Sequence, residues 1–141
     1  MLERTLKNAA NYELINFNSA EEAIKNLYLK PDIIILDYYL EGMDGMKALK
    51  TLRQKNIDVP VIVLSSQKNI QTAIDVLEAG AKKYFTKKEL KTKDLIQTIG
   101  KFFNERKIKE RNFIWKLKLN KDLTLISLLL LGILGLIISI I

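Results

Sequence analysis

Residues 32–37 read Asp-Ile-Ile-Ile-Leu-Asp, an unbroken apolar run that ends on a carboxylate. Four large apolar side chains in a row, with no polar alternation, suit a strand buried on both faces, as in a parallel sheet. The same signature recurs downstream at residues 59–64, which end at Ser65. A shorter form stands at residues 83–85, which lead into Thr86 and Lys87. Upstream, residues 12–17 (YELINF) alternate apolar and polar side chains and predict a half-buried strand.

Helical spacing fills the intervals between these runs. Ser19 and Glu22 form a capping box ahead of Ala20, Ala23, Ile24, Leu27 and Tyr28, and the Pro31-Asp32 step closes that helix. A loop with Gly42 and Gly45 leads to Met46, Leu49 and Leu52. Asn69 can cap a helix carrying Ile70, Ala73, Ile74 and Leu77, which Gly80 ends from the C′ position. From Thr92 an amphipathic helix puts Leu95, Ile96, Ile99, Phe102 and Phe103 on one face. Strands alternating with helices imply an α/β fold with a doubly wound parallel sheet.

Ligands of such sheets sit at the carboxyl ends of the strands. Those ends are Asp37, Ser65 and Lys87: a carboxylate, a hydroxyl and an ammonium. A carboxylate beside a cation can attack a phosphoryl group and form an acyl phosphate. The lysine would neutralise phosphoryl oxygens and the hydroxyl would donate to one of them. Taken singly, each residue has a plainer role, Asp37 as a turn cap and Lys87 as its ion-pair partner. Their joint placement at three successive strand ends favours the phosphoryl chemistry.

Composition narrows the alternatives. The 141 residues contain no cysteine and no histidine, which excludes disulfides, Cys or Ser–His nucleophile pairs and zinc sites of the usual kind. The N-terminus lacks the apolar core of a signal peptide. The formal charge of +7 concentrates between Lys101 and Asp122, where eight basic residues stand against three acidic ones. No reading helix or base-stacking aromatics accompany them, so nucleic acid is not the expected partner. Anionic lipid headgroups are, because a run of nineteen uncharged residues follows.

That run, residues 123–141, is LTLISLLLLGILGLIISII, with fourteen Leu or Ile. As a helix it would span roughly 28 Å, close to the hydrocarbon thickness of a bilayer. Its Leu and Ile would contribute on the order of −4 to −8 kcal/mol to insertion. A core helix would keep a polar stripe and this segment has none. One transmembrane helix is therefore expected, with the basic segment 106–122 left in the cytoplasm by the positive-inside rule. Phe113 and Trp115 would lie in the headgroup zone. Gly135 and Ser139 form one small-xxx-small pair, the basis for a possible homodimer.

Asp32-Ile-Ile-Ile-Leu-Asp37, Leu40, Gly42-Met-Asp-Gly45, Pro60-Val-Ile-Val-Leu-Ser65, Ala79-Gly-Ala81 and Tyr84-Phe-Thr-Lys87 together closely resemble the receiver domain of bacterial two-component response regulators. The resemblance covers roughly residues 1–105 and implies a flavodoxin-like sheet. It implies Asp37 as phosphoacceptor, Ser65 as the switch hydroxyl, Lys87 as the phosphate-contacting lysine and Tyr84 as the aromatic switch residue. It also implies a Mg²⁺ ion held by Asp37 and the backbone carbonyl of Tyr39, and a histidine kinase or phosphotransfer protein as partner.

Departures from the pattern shape the expectation. Family members open with a buried strand ending in two adjacent acidic residues that share the metal, whereas Met1 here falls within what would be the first helix. The expectation is a sheet lacking its first strand, with Mg²⁺ affinity weakened or absent. Glu41 and Lys88 stand where the family has prolines. The leading reading is a membrane-tethered receiver at the bacterial cytoplasmic membrane, its N-terminal domain in the cytoplasm. It takes a phosphoryl group on Asp37 and is otherwise no enzyme. The alternative is a degenerate receiver acting as a phosphorylation-independent adaptor. Hydrolases with an aspartate nucleophile place a second Asp two residues on, where this chain has Tyr39.

Overall fold

The computed structural model describes Leu6 and residues 12–140, with side chains as far as Ser127. The chain divides into two compact units, residues 1–102 and residues 103–141.

In the first unit the three apolar runs become strands β1 (Ile34–Asp37), β2 (Val61–Ser65) and β3 (Lys83–Thr86). They form one parallel sheet in the order β1-β2-β3, in the register Ile34 to Val61 and Ile62 to Lys83. Consecutive parallel neighbours match the last three strands of the flavodoxin-like order. Every residue of β2 is buried, as a near-continuous apolar strand between two neighbours requires.

Helix α1 (Ala20–Lys25) begins at Ser19, whose hydroxyl accepts from the Glu22 N–H at 3.2 Å. The Glu22 carboxylate takes the Asn18 N–H, one residue before the capped position. A short 3-10 turn at Leu27–Leu29 follows. Helix α2 (Gly45–Gln54) is capped by Asp44, which accepts from the Lys47 N–H at 2.8 Å, and buries Ala48, Leu49 and Leu52. Helix α3 (Ile70–Glu78) is capped by the Asn69 side chain. Its chain reverses at Gly80, φ +101°, where the Gly80 and Ala81 N–H groups donate back to Leu77 and Val76. Helix α4 (Thr92–Ile140) starts by burying Leu95, Ile99 and Phe102.

Two expectations are corrected. Residues 12–17 form no strand, although Tyr12 and Leu14 are half-buried and Glu13 and Ile15 exposed as alternation demands. A strand exists only with a ladder partner, and among the described residues nothing pairs with this stretch. On α3, Ile70, Ile74 and Leu77 face solvent, and the buried residue is Val76. The inward stripe is the small set Thr72, Ala73, Val76 and Ala79, which lets the helix approach the sheet closely.

The apolar run 123–141 lies largely beyond the described side chains. The α4 backbone is helical to Ile140. Among the described residues no helix is long and apolar enough to cross a membrane, because the side chains of α4 described before residue 123 are frequently charged.

Two details hold the strands in place, one at each end of the sheet. Arg53 donates to the carbonyls of Ile57, Val59 and Gly80, tying the end of α2 to the approach to β2 and to the turn before β3. Arg53→Met should leave these part-buried carbonyls without that donor and cost about 2–3 kcal/mol, read as a lower urea midpoint. Gly45 donates to the Tyr38 carbonyl at 3.0 Å and so closes the loop after β1. A Cβ there would stand 2.7 Å from Tyr38 Cα and 2.8 Å from the Asp37 carbonyl oxygen. Gly45→Ala therefore pushes on backbone and should cost about 2 kcal/mol. The exchange of the Gly45 amide with deuterium should accelerate in that variant.

Candidate functional site

The register places the three expected residues together. Asp37 is level with Leu64, one residue before Ser65, and Ser65 is level with Thr86, one residue before Lys87. The chain leaves each strand at the same edge. Tyr38 N–H donates to the Leu64 carbonyl and Lys87 N–H to the Ser65 carbonyl, both at 2.7 Å. Strands β1 and β3 are separated by β2, hence by roughly 9–10 Å of backbone. Only a long side chain closes that gap, and the Lys87 ammonium does so, meeting the Asp37 carboxylate in an ion pair.

The remaining contacts fix the carboxylate's orientation. Tyr39 meets Asp37 through its backbone N–H, which donates to Oδ1 at 3.1 Å. The Asp37 and Lys87 side chains keep 29% and 42% of their surface in water. Such a pair is screened and worth little as a stabiliser. Its consequence is positional: one carboxylate, accessible to a reagent, with a cation already on it.

Ser65 differs, since it is 1% exposed. Its hydroxyl donates to the Gln67 carbonyl and accepts from the Gln67 N–H, both at 3.2 Å. Tyr84 is half-buried against the core, and its hydroxyl donates to the same Gln67 carbonyl at 3.0 Å. Gln67 had no signal in the sequence because it acts through its backbone. Beside it, Lys68 pairs with Glu89 at 2.8 Å, and Glu89 accepts from Thr86 at 3.0 Å. The Lys68 hydrogen bond holds the Glu89 carboxyl below its ordinary range, and Glu89 in turn raises the Lys68 ammonium. Burial, with the nearby Asp44 charge, pushes the Tyr38 phenol up. Lys68, Thr86 and Glu89, with Tyr84, Phe85 and Leu90, line a shallow groove of about 290 Å³.

A divalent cation needs more oxygen ligands than this set offers. Among the described residues no group of three or more Asp, Glu, His or Cys could hold a metal. Asp37 is the one carboxylate of the constellation, and it is taken up by Lys87 and the Tyr39 N–H. Octahedral Mg²⁺ does not fit these residues. The hydrolase geometry is no better served, since Tyr39 is half exposed and stacks edge-on to Tyr38 at 5.1 Å between centroids.

Comparison with known proteins agrees with the fold and the motifs. The transcriptional regulator of alkaline phosphatase synthesis PhoP of Bacillus subtilis is 35% identical over 79 residues, 55% of this chain and 33% of that protein. The regulatory protein PrrA of Mycobacterium leprae is 36% identical over 87 residues, 61% of this chain and 37% of that protein. The chain thus spans about a third of the length of these relatives. Among solved structures, a Chloroflexus aurantiacus response regulator superposes with a TM-score of 0.64 at 30% identity, over 72% of this chain and 84% of that one. A Francisella receiver domain superposes with a TM-score of 0.67 at 25% identity, over 74% and 86%. The family profile of the response regulator receiver domain matches residues 1–100, and the chain belongs to that family.

Proposed function

We propose that this chain is a membrane-tethered receiver that accepts a phosphoryl group on Asp37. The observation that carries the reading is the Asp37 carboxylate held by the Lys87 ammonium at the edge where the Ser65 hydroxyl is buried. An Asp37 oxygen attacks the phosphorus of a phosphohistidine donor. The new P–O bond forms as the P–N bond breaks, and the leaving imidazole takes up a proton. Lys87 balances the charge gathering on the phosphoryl oxygens. The donor class is a histidine kinase or a phosphotransfer protein. Nucleic acid has no part in the proposal.

The tether rests on residues 123–141, whose length and apolar content suit one bilayer crossing. The basic residues before it favour a cytoplasmic receiver. The second reading, a phosphorylation-independent adaptor, is favoured by the poor fit of Mg²⁺ to the site.

Incubation of the full chain with acetyl phosphate separates the two. The expected outcome is an intact mass raised by one phosphoryl group, lost in Asp37→Asn. An unchanged mass in the unmutated chain would leave the adaptor. Tyr84→Phe removes one hydrogen bond to a backbone carbonyl and should cost no more than about 1.5 kcal/mol. Its rate of phosphorylation should match that of the unmutated chain, since Tyr84 touches Gln67 and not Asp37.

A further inference from the structure

Residues 107–121 of α4 are all exposed, with side chains on every side of the helix. Phe113, Ile114, Trp115, Leu117 and Leu119 are all more than half exposed. A helix turns about 100° per residue, so Ile108, Trp115 and Leu119 share one side. Phe113 and Leu117 lie on the opposite side, roughly 200° round from Trp115. The two aromatics are equally bare, at 63% and 62%. Lys109 and Lys116 occupy one flank between these faces, and Arg111 and Lys118 the other. Lys118 sets its ammonium over the Trp115 ring, 5.7 Å from the centroid.

This arrangement discriminates among occupants. A helix lying flat on a membrane has one apolar face and one charged face. A partner helix covers a single stripe. Neither would cover Trp115 and Phe113 together. A second copy of the chain docked on the Trp115 side would set flanking cations against flanking cations. What meets apolar rings and cations all round a helix is a layer that surrounds it. Headgroups do, with rings among the glycerol and upper acyl groups and lysines reaching to phosphates.

We infer that residues 106–121 form a collar running through the headgroup layer and selecting acidic phospholipid. The inference rests on the anchor reading above and gives it a lipid preference. Each cation near an anionic surface adds roughly 1 kcal/mol of attraction, which neutral lipid does not supply.

Trp115 is the chain's one tryptophan, so it reports its own surroundings. The full chain is mixed with phosphatidylcholine vesicles, with and without phosphatidylglycerol, and floated. The double variant Phe113→Trp/Trp115→Phe moves the probe to the other side of the helix. Addition of phosphatidylglycerol should shift emission to shorter wavelength at both positions. The shift should vanish at both when Lys109, Arg111, Lys116 and Lys118 are changed to Gln. A shift at one position only means one-sided docking, on a flat membrane, an acidic helix or a second copy, and overturns the collar. No shift in a chain that floats with both vesicles overturns the collar and leaves the anchor standing. Flotation with phosphatidylglycerol vesicles alone means charge-driven docking and overturns both the anchor and the collar that rests on it. A chain that floats with neither overturns both.

Discussion

Strand β2 is the constraint on which the rest depends. All five of its residues are buried, and among the described strands it alone pairs with two neighbours. Its register puts Asp37, Ser65 and Lys87 at one edge of the sheet. A slip by one residue would turn Ile62 and Leu64 to the faces now held by Val61 and Val63. It would also carry the hydroxyl away from the carboxylate. Arg53 guards that register from below, since its three acceptors lie on the two segments that enter β2 and β3.

At the site, burial and exposure divide the work. The Asp37–Lys87 pair stands in water, where a reagent can reach it and its removal costs the fold little. The Ser65 hydroxyl is shut in, so it must keep an acceptor at all times. Among the described contacts that acceptor is the Gln67 carbonyl. A carbonyl oxygen has two lone pairs, and Tyr84 uses the second. Two side chains from different strands thus converge on one backbone atom.

Much of this was legible in the sequence, and the rest was hidden for definable reasons. Strands β1 and β2 announce themselves because β-branched and leucine runs bounded by Asp37 and Ser65 have few other uses. The caps at Ser19 and Asn69 and the turn at Gly80 were equally plain. Residues 12–17 misled because alternation shows which side chains face inward but not whether a neighbouring strand is there to complete a ladder. On α3 the large residues Ile70, Ile74 and Leu77 outweighed the small inward stripe, although close packing on a sheet favours the small one. Arg53 and Gln67 left no trace. Both act on or through carbonyl oxygens, which every residue has, and only the folded path brings those oxygens together.

The shared carbonyl sets the size of any signal the proposed phosphorylation can produce. A phosphoryl group on Asp37 offers Ser65 a charged acceptor in place of a neutral one. Hydrogen bonds to charged groups are worth about 1.5–3 kcal/mol, against about 1 for neutral pairs. The exchange therefore gains on the order of 1 kcal/mol, about a fivefold change in the preference of Ser65. Once Ser65 leaves, the Gln67 carbonyl and its peptide are held by Tyr84 alone, and the residues 65–69 that link β2 to α3 lose one of their fixed points. A gain of that size biases a population without locking it. Such a receiver would be graded, with its balance open to being tipped further by whatever binds the groove beside Tyr84.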